Sequence, residues 1–264
     1  MHEPAAHRDE LGAGAVLVTG AASGIGLATA TRCHEQGWAV GLLDRDEERL
    51  GAALATLGAA GAPPVAAEAA DVTDAAGVQV AVDALAGRLG RLDAVVNAAG
   101  IGGYTGDVVA TTPERWERTI AVDLTGVYLV SRAAVPHLRA AGGGRIVHVS
   151  SQFGLVGAAG SPAYVAAKSG VIGLTRAMAV DHAAEGILVT CVCPGPIDTP
   201  MLRASHADGS VAARAESERT AHRSLLGGPG RPEDVAGTVL FLLGPDAAHL
   251  TGAVLAVDGG WTAG

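Results

Sequence analysis

Tyr164 and Lys168 stand four residues apart in Ser161-Pro162-Ala163-Tyr164-Val165-Ala166-Ala167-Lys168, and Ser151 lies thirteen residues before the tyrosine. Four residues is about one helical turn, so a phenol and an ammonium share one helix face. An ammonium beside a phenol favours the phenolate and lowers a pKa that is about 10 in the free side chain. A tyrosine tuned in this way can remove or deliver a hydroxyl proton near neutral pH. A bare Tyr-x-x-x-Lys pair also arises by chance, so its weight depends on the rest of the chain.

The supporting signal is near the N-terminus. Ala15-Val16-Leu17-Val18-Thr19 is an apolar, β-branched run that reads as a buried strand. It leads into Gly20-Ala21-Ala22-Ser23-Gly24-Ile25-Gly26 and then into a segment of helical character, Leu27 to Arg32. Strand, glycine turn and helix form the context that a dinucleotide-binding loop requires. Glycines permit tight backbone and close approach of a pyrophosphate, and the helix N-terminus offers free N–H groups to an anion. The plain alternative is a glycine-rich turn of no special purpose.

The elements that would position these residues alternate along the chain. Strands are expected at Ala39–Leu43 (ending at Asp44), Val65–Ala70, Leu92–Asn97, Gly144–Val149, Ile187–Cys193 and Val254–Val257. Between them the pattern predicts helices over 47–57, after the Asp71-Val72-Thr73-Asp74 cap, from Thr112 through about Ala140, over 161–185 and over 231–243. Proline at the first turn and Glu114 near the positive end of the dipole suit the start of the long Thr112 helix. Alternation of this kind predicts an α/β, doubly wound parallel sheet with helices on both faces. No repeat or long linker divides it, so residues 12–264 are expected to form one domain after a loose tail at 1–11.

Composition excludes several classes. The chain has 264 residues, 49% hydrophobic but only 3% aromatic, so its core must be built from Ala, Val, Leu and Ile. A formal net charge of −9 argues against nucleic acid or an anionic membrane as partner. Three cysteines provide no disulfide framework. Cys191 and Cys193 alternate onto one face of a strand and read as small core residues, with too few donors nearby for a metal. The N-terminus has no apolar stretch and the run Val235–Leu243 is too short to span a bilayer, so a cytoplasmic location is expected.

Gly20-x-x-x-Gly24-x-Gly26, Asn97-Ala98-Ala99-Gly100, Ser151, Tyr164-x-x-x-Lys168 and Pro194-Gly195 occur in the order and spacing of the short-chain dehydrogenases/reductases, whose compact, roughly 250-residue branch the chain resembles. The resemblance runs from about residue 12 to the C-terminus. It implies a Rossmann-type fold, an NAD(P) cofactor and a Ser151/Tyr164/Lys168 catalytic set. Tyr164 would act as acid/base, Ser151 would orient the substrate oxygen, and Lys168 would tune the tyrosine and hold the nicotinamide ribose. Gly20, Ser23, Gly24, Ile25 and Gly26 would cradle the pyrophosphate. Asp71 and Val72 would border the adenine, and Asn97, Ala98, Ala99 and Gly100 would hold the central strand and pass beneath the adenosine ribose. Pro194, Ile197 and Thr199 would close on the nicotinamide.

Asp44, at the end of the second strand, could accept from both adenosine ribose hydroxyls and would repel the 2′-phosphate of NADP, so NAD is favoured. Ser23 occupies a place where NADP-using relatives often carry a basic residue; Arg45 follows Asp44 and keeps the question open. Relatives commonly carry asparagine in a Val-Asn-Leu-x-Gly context where this chain has Val122-Asp123-Leu124-Thr125-Gly126. A carboxylate there would hold Lys168 charged and partly offset its effect on Tyr164, giving a working relay with a shifted pH optimum.

Substrate residues are sought among Gly102-Gly103-Tyr104, Gln152-Phe153 and a lid at about 201–228, beside Ser151. Gln152 and Tyr104 suit a polyol or sugar acid, and Phe153 suits a ring. His206, Arg214, Arg219, His222 and Arg223 in the lid are interleaved with Glu216 and Glu218 and read as a solvated face. The resemblance implies a homotetramer. The expected activity is NAD-dependent interconversion of a secondary alcohol and ketone on a small polar or cyclic metabolite. The alternatives are an NADPH-dependent 3-oxoacyl thioester reductase and a non-catalytic dinucleotide sensor.

Overall fold

The computed structural model describes residues 14–58, 63–102, 104–207 and 223–264. Seven strands, β1 (Ala15–Thr19), β2 (Ala39–Asp44), β3 (Val65–Ala69), β4 (Ala94–Asn97), β5 (Gly144–Val149), β6 (Ile187–Pro194) and β7 (Val254–Val257), form one parallel sheet in the order β3-β2-β1-β4-β5-β6-β7. The fold is therefore the expected α/β Rossmann-type sheet. Strand order reverses between β1 and β4, where the crevice of a doubly wound sheet opens. Every residue of β1 and β4 is buried, which is why both strands are continuous apolar runs and not alternating ones.

Successive β1 residues serve opposite faces. Val16 and Val18 pack with Ala30 and Cys33 of α1 (Gly24–Glu35), Leu50 of α2 (Glu47–Gly58) and Val235 of α8 (Pro232–Leu243). Leu17 packs with Val82 of α3 (Ala75–Leu89), Val130 of α5 (Gly126–Ala140) and Met178 of α6 (Pro162–His182) on the other side. Register pairs Thr19 with Asn97, so the C-terminal ends of β1 and β4 stand together. The Thr19 hydroxyl accepts from the Ala98 and Ala99 amides at 3.1 Å each, tying the two crevice loops to one another.

The single long helix expected from Thr112 to about Ala140 is interrupted. Helix α4 (Pro113–Ile120) and α5 (Gly126–Ala140) are joined by a π-helical turn, Ala121–Thr125, that contains Asp123. A single π turn shifts the helical phase by about one residue, too small a step to stand out in a short apolar pattern. Helix α6 (Pro162–His182) begins on a proline at its first turn and carries the tyrosine–lysine pair; a separate 3₁₀ turn covers Ala183–Glu185. Helix α7 (Pro200–Ala207) lies at the start of the expected lid. Residues 208–222, which include Arg214, Arg219 and His222, lie outside the described residues, as do 1–13. Among the described residues no helix is long and apolar enough to cross a membrane.

Candidate active site

The glycine loop has the shape its sequence demands. Gly20 and Gly24 take φ +67° and +54°, in the left-handed region that favours glycine. A Cβ on Gly20 would lie 2.9 Å from the Ala99 Cα, and one on Gly26 would collide with the Gly20 carbonyl oxygen. Ser23 stands at the N-cap of α1 without a capping side-chain bond, so the first-turn amides keep their capacity for an anion. A hollow of about 280 Å³ opens over this loop. Gly20, Ser23, Gly24, Ile25 and Gly26 line it, as do Asp44, Asp71, Val72, Ala98, Gly100 and Thr199. Glycines that admit no Cβ, an uncapped helix start and acids at the far end fit a dinucleotide.

Asp44 also has local work. Its Oδ2 accepts from the Ala22 amide at 3.0 Å and its Oδ1 from the Asp46 amide at 3.0 Å. Arg45 and Arg49 border the same end of the hollow. Arg49 is paired with Asp46 at 3.3 Å. The Asp71 carboxylate accepts from the Thr73 amide and hydroxyl at 2.9 and 2.8 Å, bonds that, with Arg45 and Arg118 nearby, hold it below the usual carboxylate range.

Asn97 serves the strand-holding part of its expected role, and its side chain faces the core and not the cofactor hollow. It is 1% exposed, lines neither hollow and donates through Nδ2 to the Ser131 hydroxyl at 3.1 Å. Ser131 contacts His148 Nε2 at 3.2 Å and His148 Nδ1 contacts Thr175 at 2.9 Å, forming a polar chain through the core. Burial pushes the His148 pKa down to about 3, so the imidazole is neutral. A strand-end asparagine turned into the core carries the same letter as one turned outward, so sequence could not separate the two.

The expected catalytic residues do come together. Ser151, two residues beyond the end of β5, is buried, and its hydroxyl accepts from the Phe153 amide at 3.2 Å, which leaves the hydroxyl proton to donate elsewhere. Tyr164 is partly buried, with Lys168 Nζ 5.5 Å from its ring centroid. Lys168 Nζ donates to the Val149 carbonyl at 3.3 Å and lies 3.9 Å from Asp123 Oδ1. Asp123 is fully buried and also accepts from the Ile101 amide at 2.9 Å.

Electrostatics correct one expectation. Burial outweighs the lysine, so the Tyr164 pKa is raised, not lowered; Lys168 and the Ser151 hydrogen bond pull it down while Asp123 pushes it up. Burial also acts to lower Lys168, but Asp123, Tyr164 and the Cys191 and Cys193 sulfurs reverse that, and the ammonium is held charged. Burial raises Asp123 against the pull of Lys168 and the Ile101 amide.

A second hollow, of about 480 Å³, brings the expected catalytic side chains together. Ser151, Gln152, Phe153, Tyr104, Tyr164, Lys168, Pro194, Ile197 and Thr199 all line it. Tyr104 lies over Gly160, where a Cβ would strike its ring, and Gly103 lies outside the described residues. Ile25, Ala98, Gly100, Ile101, Thr199 and Met201 border both hollows, so the two are continuous. Sequence reasoning missed Ile101, whose only signal was its place after Gly100. It also missed Trp261, which meets Phe153 edge-on at 5.6 Å and carries the Arg223 guanidinium 4.3 Å above its ring. Those contacts join residues distant in sequence and leave no local pattern.

Comparison with known proteins agrees with this geometry. A family model described as enoyl-(acyl carrier protein) reductase matches residues 20–262. The chain is 43% identical over 247 residues to cis-4-hydroxycyclohexanecarboxylate dehydrogenase of Sinomonas cyclohexanicum, covering 94% of this chain and 96% of that protein. It is 38% identical over 251 residues to 2-(S)-hydroxypropyl-CoM dehydrogenase 3 of Xanthobacter autotrophicus, covering 94% and 96%. The crystal structure of levodione reductase superposes with a TM-score of 0.89 at 33% identity, covering 94% of this chain and 97% of that one.

Proposed function

The chain belongs to the short-chain dehydrogenase/reductase family, and from that premise we propose that it is an NAD-dependent dehydrogenase of a secondary alcohol on a small polar or cyclic metabolite. The observation that carries this reading is the continuity of the two hollows: a dinucleotide cradle opens into a cavity that holds Ser151, Tyr164 and Lys168 together. Bound there, the dinucleotide supplies the hydride acceptor. Ser151, whose hydroxyl accepts from the Phe153 amide and keeps its proton free, donates to the substrate oxygen and orients it. The Tyr164 hydroxyl exchanges the carbinol proton, and the charged Lys168 stabilises its phenolate form.

Gly20, Ser23, Gly24, Ile25 and Gly26 would hold the pyrophosphate. Asp71 and Val72 would hold the adenine end, and Ile197 and Thr199 the nicotinamide end. NAD is favoured over NADP because the Asp44 carboxylate lines the far end of the cradle; Arg45 borders the same end and is the residue that would receive a 2′-phosphate in the NADP reading. The cavity beside Tyr164 is walled by Tyr104, Phe153, Met201 and Leu202, with Gln152 as a polar contact, which suits a ring or short chain bearing a second polar group. Relatives named for a hydroxycyclohexanecarboxylate and a hydroxypropyl thioether support that size. A homotetramer completes the reading.

The test is NADH formation from a panel of cyclic alcohols, diols and hydroxy acids with NAD⁺ or NADP⁺. Turnover with NAD⁺, lost about a thousandfold in Tyr164→Phe, is the expected result. Turnover with NADP⁺ alone would instead favour the thioester reductase. Full activity in Tyr164→Phe would overturn the mechanism.

A further inference from the structure

Asp123 lies beneath the point where the two hollows meet. Gly100 borders both hollows, and a Cβ placed on it would come within 2.8 Å of Asp123 Oδ1. The same oxygen accepts from Ile101, the next residue along that border, at 2.9 Å. Asp123 Oδ2 is buried without a hydrogen-bond partner among the described residues. The titratable groups around the carboxylate are Lys168 and Tyr164 on α6 and, behind the lysine, the Cys191 and Cys193 thiols on β6.

Burial works against ionisation of Asp123 and the charged Lys168 favours it. With the carboxylate ionised 3.9 Å from the ammonium and the Tyr164 phenol neutral, the buried group has no net charge. With an amide at position 123 the same group would be positive. An oxidised nicotinamide ring carries a unit positive charge that the reduced ring lacks. A cationic pocket would penalise only the oxidised form, and buried charges are poorly screened.

We propose that Asp123 makes the site favour binding of the oxidised dinucleotide over the reduced one. The proposal rests on the dinucleotide reading above. It makes Asp123 a positioning residue for charge, acting through the floor of the cleft and through Lys168 without touching substrate.

Equilibrium binding tests it directly. The affinities of NAD⁺ and NADH, or of the phosphorylated pair if these do not bind, are measured by calorimetry for the parent and for Asp123→Asn. The variant is expected to lose affinity for the oxidised form on the order of tenfold while affinity for the reduced form stays within about twofold. Retained binding of the reduced form shows that the variant is folded, and Asp123→Ala carries the same expectation if the amide is not accommodated. Equal shifts in both forms, or none in either, overturn the proposal and leave the dinucleotide reading standing. A parent that binds the reduced form more than about tenfold tighter than the oxidised form overturns it without any variant. A parent that binds neither pair removes the dinucleotide reading and the proposal together.

Discussion

At the scale of single residues, the proposed chemistry turns on three titratable groups held together. Lys168 eases ionisation of Tyr164, while burial and Asp123 oppose it, and the opposing pair prevails. The phenol is therefore harder to ionise than in free tyrosine, and the acidic limb of alcohol oxidation should lie at high pH. Replacing Asp123 with asparagine removes the negative neighbour and lowers the Tyr164 pKa. The acidic limb of kcat/KM should then move to lower pH by about one unit. A pH–rate profile of the two proteins checks this, and superimposable profiles would show that the carboxylate does not reach the tyrosine. Phenolate absorbance offers a view that needs no turnover. The chain has only three tyrosines, so the difference between parent and Tyr164→Phe isolates one of them.

At the scale of elements, β5 has two functions. Its end delivers Ser151 to the cavity, and its His148 joins Ser131 on α5 to Thr175 on α6 through the core. The neutral histidine makes the fold sensitive to acid. Its pKa falls from 6.5 to about 3 on folding, so between those values the unfolded chain binds the extra proton. Stability is complete above pH 6.5 and declines as pH falls through that window, by up to about 1.4 kcal/mol per pH unit. Thermal unfolding of the parent should therefore lose more with acidification than that of His148→Gln. Parallel curves would place the acid sensitivity elsewhere.

For the molecule as a whole, the sheet order brings the glycine loop, the β4 loop and the β5 loop to one edge and leaves apolar side chains on the outer helices. Trp116 on α4, Tyr128 on α5 and Val180 on α6 are 42%, 47% and 82% exposed. Exposed large apolar residues on helices suit association with further copies, consistent with the proposed homotetramer. Sedimentation should report a tetramer, and Val180→Glu combined with Tyr128→Arg should yield smaller species. A monomeric parent would contradict the assembly.

Ser151 entered through the family resemblance, whereas the sequence by itself determined the parallel sheet, the glycine turn and the pairing of Tyr164 with Lys168. Each is a local pattern: a buried strand must be apolar throughout, a left-handed turn favours glycine, and two side chains one helical turn apart must be neighbours. Only the tertiary structure decided the rest. It turned Asn97 into the core, raised the Tyr164 pKa through burial, and placed a π turn where Asp123 meets both Gly100 and Lys168. Burial and distance between remote residues are properties of packing, and packing sums contacts from segments far apart in the chain.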